Sequence, residues 1–137
     1  MRDAATPTRL PVVDDKPREE CGVVGISGIE NASELAFLAL YALQHRGQES
    51  AGICAVEDGR ARIHKGAGLV SDVFGSAELA KLLGRAALGH VRYSTAVGNR
   101  IENAQPIVVR YAEGDLAISH NGNLTNAQVL RNRLVDE

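Results

Sequence analysis

A hairpin signal that occurs twice constrains the architecture of this chain more than any other feature. In "AGICAVEDGRARIHK", residues 51–65, two strand-like runs flank Asp58-Gly59. Asp-Gly tolerates the positive φ angles of a tight two-residue turn. Further on, "PIVVRY" and "DLAISH" flank Glu113-Gly114 in the same manner. Two more apolar, glycine-containing runs, "CGVVGIS" at 21–27 and "AALGHVRY" at 86–93, have the length of buried strands.

Helical pattern lies between the strands. An Asn31–Glu34 capping-box spacing opens "ASELAFLALYALQHR", residues 32–46, which is apolar on nearly every side, as a helix packed between layers would be. Gly47 is placed to end it. "GLVSDVF" fits strand or helix, and Ser76 is placed to cap a short helix through "AELAKLLG". Residues 94–105 read as a long polar loop, and Thr125 with Gln128 forms a capping box opening "NAQVLRNRLVDE". Strands grouped in hairpins, without one-for-one βαβ alternation, predict an α+β fold with antiparallel sheets. No repeat, GxGxxG motif or P-loop is present.

Composition narrows the function classes. The chain has 137 residues, one domain's worth, with 45% hydrophobic residues but only 4% aromatic and no Trp, so its core is aliphatic. The net charge is −2 and no long basic run exists, which points away from nucleic acid and anionic membranes. No run of about 18 apolar residues exists to span a membrane. The first twenty residues lack the apolar core of a secretory signal. With Cys21 and Cys54 the only cysteines, and no CxxC spacing, the expectation is a cytoplasmic protein with reduced thiols and no zinc site.

Residues 1–20 hold three of the four prolines (Pro7, Pro11, Pro17) among mixed charges without periodicity. They read as an unstructured leader. Cys21 stands at the seam between leader and fold. Cysteine usually behaves as a small buried hydrophobe, and Cys54 inside "AGICAV" fits that role. Cys21 differs: it opens a strand and is followed by Gly22, which leaves room beside the thiol. A cut between Glu20 and Cys21 would free an α-amine whose reference pKa is near 8. Such an amine can serve as general base for its own thiol.

Three other stretches carry chemistry. "SHNGNL", residues 119–124, is either a turn or a sharp bend that presents the Asn121 amide and the Gly122 N–H together, as an oxyanion requires. Arg92, at the end of an apolar strand, is either a solvated edge arginine or a carboxylate clamp. His45-Arg46-Gly47 ends a helix, where cations suit the dipole, and His45 needs no catalytic role.

The segments "CGVVGI", "LQHRGQESAGI", "KGAGLVSDVF", "GHVRYSTAVG", "ENAQP" and "HNGNLTNA", in this order from Cys21 to the end, resemble the class II glutamine amidotransferases. The resemblance implies an N-terminal-nucleophile hydrolase fold, a four-layer αββα sandwich of which this chain holds the N-terminal part. It implies Cys21 as nucleophile with its freed α-amine as base, and Asn121 and Gly122 as oxyanion hole. Arg92 would bind the glutamine α-carboxylate. Tyr93, Ser94 and Thr95 would belong to a loop that closes over glutamine, with Arg46 and Gly47 in support.

Residues 1–20 would be a propeptide cut between Glu20 and Cys21, and 21–137 an incomplete type-2 amidotransferase domain. "LQHRGQES", "HVRYST" and "ENAQP" are most similar to the branch that passes ammonia to phosphoribosyl pyrophosphate to make 5-phosphoribosylamine, the first step of purine synthesis. Glucosamine-6-phosphate synthase is the sibling alternative. A phosphoribosyltransferase domain with magnesium would lie downstream, with a [4Fe-4S] cluster in some members and a homo-oligomeric assembly. No cofactor is expected within this chain itself.

Overall fold

The structure, a computed structural model, describes residues 21–93, 101–122 and 124–136. The leader and its expected cut after Glu20, and the loop residues Ser94 and Thr95, lie outside the described residues. Within them run β1 (Gly22–Ser27), α1 (Ala32–Ala42), β2 (Ser50–Glu57), β3 (Arg60–Ala67), α2 (Val70–Val73), α3 (Ser76–Leu79), β4 (Ala86–Arg92), β5 (Ile107–Tyr111), β6 (Gly114–Ile118) and α4 (Ala127–Asp136). Short 3-10 turns occupy Gln44–Arg46 and Ile101–Asn103. The first sheet has the order β1-β4-β2-β3 and the second pairs β5 with β6, and every pairing is antiparallel. The fold is α+β, as the hairpins predict. Asp58 and Gly59 turn with φ of 50° and 73°, the mirror-image turn that the Asp-Gly pair favours.

The two faces of the first sheet differ. Ala51, Ile53, Ala55, Ala87 and Val91 point to one side and pack with Ala32, Ala36 and Leu40 of α1. Gly89 faces the helix as well, since a Cβ there would sit 2.9 Å from Leu40 Cδ1. Side chains alternate along a strand, so Gly52, Cys54, His90 and Arg92 point to the opposite side. Residues 104–106 cross that second face as a strap. A Cβ on Gly52 would overlap the Gln105 carbonyl oxygen and come within 2.9 Å of Lys65 Cβ. Lys65 Nζ ties the strap down by donating to the Ala104 carbonyl at 2.6 Å.

Local expectations need correction at several places. Asn31 does not cap α1 through its side chain; it sits in the left-handed region at φ 58°, and its carbonyl accepts the Glu34 N–H at 3.0 Å. Helix α1 ends at Ala42 and buries one face only, because Leu38 and Tyr41 are nearly 60% exposed. Gly47 is extended rather than a left-handed cap. Its lack of a side chain serves close approach, since a Cβ would lie 2.8 Å from the Arg92 N and C atoms. The N-cap of α3 is Gly75 in place of Ser76, with the Glu78 carboxylate accepting the Gly75 N–H at 3.0 Å. In α4, Gln128 donates to Asn132 Oδ1 at 2.8 Å, one turn along.

The β5–β6 register places Ile107 opposite Ile118 and Val109 opposite Leu116 on one face, and each of these four is about half exposed.

The strap geometry sets a stability test. Gly52→Ala should cost about 1–3 kcal/mol through overpacking against the strap. Gly25→Ala, with nothing within 4 Å of the added Cβ, should stay within about 0.5 kcal/mol. Urea unfolding of the two variants measures the contrast.

Candidate active site at Cys21

The site forms at the end of the first sheet where β1 begins and β4 stops. Gly22 pairs with Val91, and one further step along this antiparallel register sets Cys21 opposite Arg92, on the face away from α1. Gly22 is needed for that closeness: a Cβ there would sit 2.9 Å from Val91 Cγ2 and 3.2 Å from Leu43 Cβ. The Cys21 thiol is partly exposed, and its Sγ donates to the Tyr93 carbonyl at 3.5 Å.

Two side chains distant in sequence converge on the Cys21 main chain. Asn121 Nδ2 donates to the Cys21 carbonyl at 2.8 Å, and Arg46 Nε donates to the same oxygen at 3.4 Å. The structure therefore gathers Cys21, Arg46, Arg92, Tyr93 and Asn121 at one place, with Gly47 packed on the Arg92 backbone. One hydrogen of the Asn121 amide is taken by the Cys21 carbonyl, and the amide carries a second. Gly122 follows at φ 152°, a backbone value that favours glycine, and a Cβ there would meet the His120 ring at 3.2 Å.

Two positioning residues carried no signal of their own. Gln105 clamps the bend before Asn121 from both sides: its Nε2 donates to the His120 carbonyl at 3.1 Å, and its Oε1 accepts the His120 N–H at 2.6 Å. Glu49 meets Arg92, with Oε1 3.9 Å from Nη1. These side chains are only 15% and 18% exposed, so Arg92 is a largely buried, charge-compensated arginine and the solvated-edge reading is set aside. Five N–H donors on a guanidinium leave it able to bind a second carboxylate. Cys54 stands apart. It is buried, and burial first and Asp115 second push its thiol up to about 11.

The contrast between the two thiols gives a direct test. Iodoacetamide near neutral pH should alkylate Cys21 alone in the folded protein and both cysteines in denaturant. Peptide mass spectrometry reads the sites, and native labelling at Cys54 would contradict the geometry.

No family model matches the chain. Curated relatives do. It is 57% identical over 123 residues, 90% of its length, to the chloroplastic amidophosphoribosyltransferase of Vigna aconitifolia, of which it covers 25%. It is 52% identical over 120 residues to the amidophosphoribosyltransferase of Lacticaseibacillus casei, covering 87% of this chain and 62% of that one. Among solved structures, the glutamine phosphoribosylpyrophosphate amidotransferase of B. subtilis, complexed with ADP and GMP, superposes with a TM-score of 0.75 at 46% identity, over 83% of this chain and 24% of that one. The chain thus spans about a quarter of the length of most of the relatives it matches. With this identity along almost all of its own length, and with the same fold, the chain belongs to the amidophosphoribosyltransferase family.

Proposed function

We propose that the chain carries the glutamine-hydrolysing site of an amidophosphoribosyltransferase, in which Cys21 releases ammonia for transfer to phosphoribosyl pyrophosphate. The observation that carries this reading is the convergence of Asn121 and Arg46 on the carbonyl of Cys21. Burial statistics favour a core cysteine; a partly exposed thiol, with two side-chain donors on its residue's carbonyl and the Tyr93 carbonyl at its sulfur, favours a nucleophile.

In this reading, removal of residues 1–20 frees the Cys21 α-amine, which takes the thiol proton. The sulfur attacks the glutamine carboxamide carbon, and the resulting oxyanion is met by the second Asn121 amide hydrogen and the Gly122 N–H. Collapse breaks the C–N bond, the α-amine returns its proton to the departing nitrogen, and ammonia leaves a thioester. Water then hydrolyses the thioester to glutamate and restores the thiol. Arg92, held by Glu49, binds the substrate α-carboxylate beside Tyr93, and Ser94 and Thr95, which lie outside the described residues, are assigned to the glutamine loop by the resemblance alone. Arg46 and Gly47 support the nucleophile's backbone and that of Arg92.

The acceptor reaction, which displaces pyrophosphate and gives 5-phosphoribosylamine, is read from the relatives' names. Those names support it over the glucosamine-6-phosphate synthase alternative. Magnesium and a [4Fe-4S] cluster enter the proposal through the resemblance alone, as parts of the longer protein; among the described residues no group of three or more His, Cys, Asp or Glu gathers. No described helix is long and apolar enough to cross a membrane. Two free thiols support a reducing compartment such as the cytoplasm, although the plant relatives are chloroplastic. A homo-oligomeric assembly remains part of the same proposal.

Mutagenesis and intact mass test the reading together. Wild type should begin at Cys21 by mass and hydrolyse glutamine, whereas Cys21→Ala should retain the leader and lose activity. Asn121→Ala should lower kcat by about 100- to 1000-fold, the usual cost of one oxyanion donor. Arg92→Ala should act mainly by raising the KM for glutamine. A wild type that keeps Met1 and still hydrolyses glutamine would rule out the terminal-amine mechanism.

A further inference from the structure

His90 is fully buried, and neither ring nitrogen has a hydrogen-bond partner among the described residues. An imidazole left in that state costs stability, and such a group calls for a reason to be kept. The register shows where it lies. His90 pairs with Val23 on one side and Gly52 on the other, two residues before Arg92 on the same sheet face. The strap at Gln105 passes over neighbouring Gly52. The His120 main chain lies near enough to favour a charged ring without completing a hydrogen bond. His90 thus sits beneath the bend that Gln105 clamps and that carries Asn121 to the Cys21 carbonyl.

We propose that His90 is a positioning residue for the glutamine-hydrolysing site, its neutral ring filling the space under the His120–Gly122 bend so that the Asn121 amide stays against Cys21. The inference rests on the proposed glutaminase reading and adds a pH-sensitive support to it. The groups facing the ring are Arg92 on its own strand, Cys21 at the head of β1, Cys54 on β2, Lys65 of β3 across Gly52, and His120 after β6. The acids near these groups are engaged, Glu49 with Arg92 and Asp115, which acts on Cys54, with the Ala61 N–H and Arg110. A proton on the ring would therefore add a cation to a site that already holds Arg92 and Lys65.

The direction of the linkage follows. Burial, above all, lowers the ring's pKa from its ordinary 6.5; Arg92 and His120 act the same way, and the His120 main chain opposes them. The unfolded chain then takes up a proton at higher pH than the folded one. Stability is complete above the ordinary imidazole value and falls as the pH drops through it, until the folded ring protonates as well.

The test uses the protein that carries this sequence, comparing wild type, His90→Ala and His90→Gln. Glutamine hydrolysis and thermal midpoints are measured from about pH 5.5 to 8.5, the window in which histidine titrates. His90→Ala should lose at least about 10-fold in kcat with the KM for glutamine changed less than about 3-fold, the pattern of a weakened transition-state contact. His90→Gln, which fills the space and does not titrate, should recover kcat to within about 3-fold and flatten the acid-side fall of the thermal midpoint.

A kcat within about 2-fold of wild type in His90→Ala overturns the inference. So does an acid-side fall unchanged in His90→Gln, or equal losses in both variants that track the thermal midpoint. If wild type fails to hydrolyse glutamine at every pH, the proposed reaction fails. The midpoint comparison then decides His90 alone: a flattened fall supports its role under the bend and an unchanged one overturns it.

Discussion

One carbonyl oxygen organises the candidate site. The main-chain oxygen of Cys21 accepts from Asn121, 100 residues away in sequence, and from Arg46, 25 residues away. Without these two donors the residue would be the frayed start of an edge strand, free to rotate its thiol. With them the backbone on one side of the sulfur is fixed, and the thiol itself meets the Tyr93 carbonyl. The nucleophile role proposed for Cys21 requires such preorganisation, because misplacement by an ångström costs rate steeply.

The rest of the fold keeps the donors in place. Helix α1 packs on one face of the first sheet, and the 3-10 turn after it delivers Arg46. The other face carries the polar side chains and the strap. Gln105 joins the strap to the bend at His120, so a segment crossing the sheet at Gly52 also steers Asn121. Glycines at 22, 47 and 52 work by removing bulk where two chain segments touch.

Much of this is legible in the sequence. The Asp58-Gly59 turn, the antiparallel class and all six strands follow from run length and turn chemistry, which are local properties. Cys21, Arg92 and Asn121 stood out because each breaks an apolar run at its end. The missed features are non-local. Nothing in the spelling of "GQES" says that Glu49 faces Arg92 across strands, and Gln105 has no pattern that marks a clamp. The caps at Asn31 and Ser76 failed because spacing shows which residues are able to cap and not which conformation the chain adopts. Helix α1 reads as apolar all round, yet Leu38 and Tyr41 stay exposed among the described residues, so hydrophobic content alone overstates burial.

The hundred-residue span between Cys21 and Asn121 also has a meaning in time. A chain is synthesised from its N-terminus, so the thiol leaves the ribosome long before its amide partner exists. At ordinary rates of about 5–20 residues per second, the gap is roughly 5–20 s. Throughout that interval Cys21 lacks the amide on its carbonyl, although Arg46 and the partner strand β4 precede Asn121 in the chain. The order of synthesis thereby fixes an order of assembly: the bond from Asn121 to the Cys21 carbonyl forms only after the residues of the first sheet and the strap have been made.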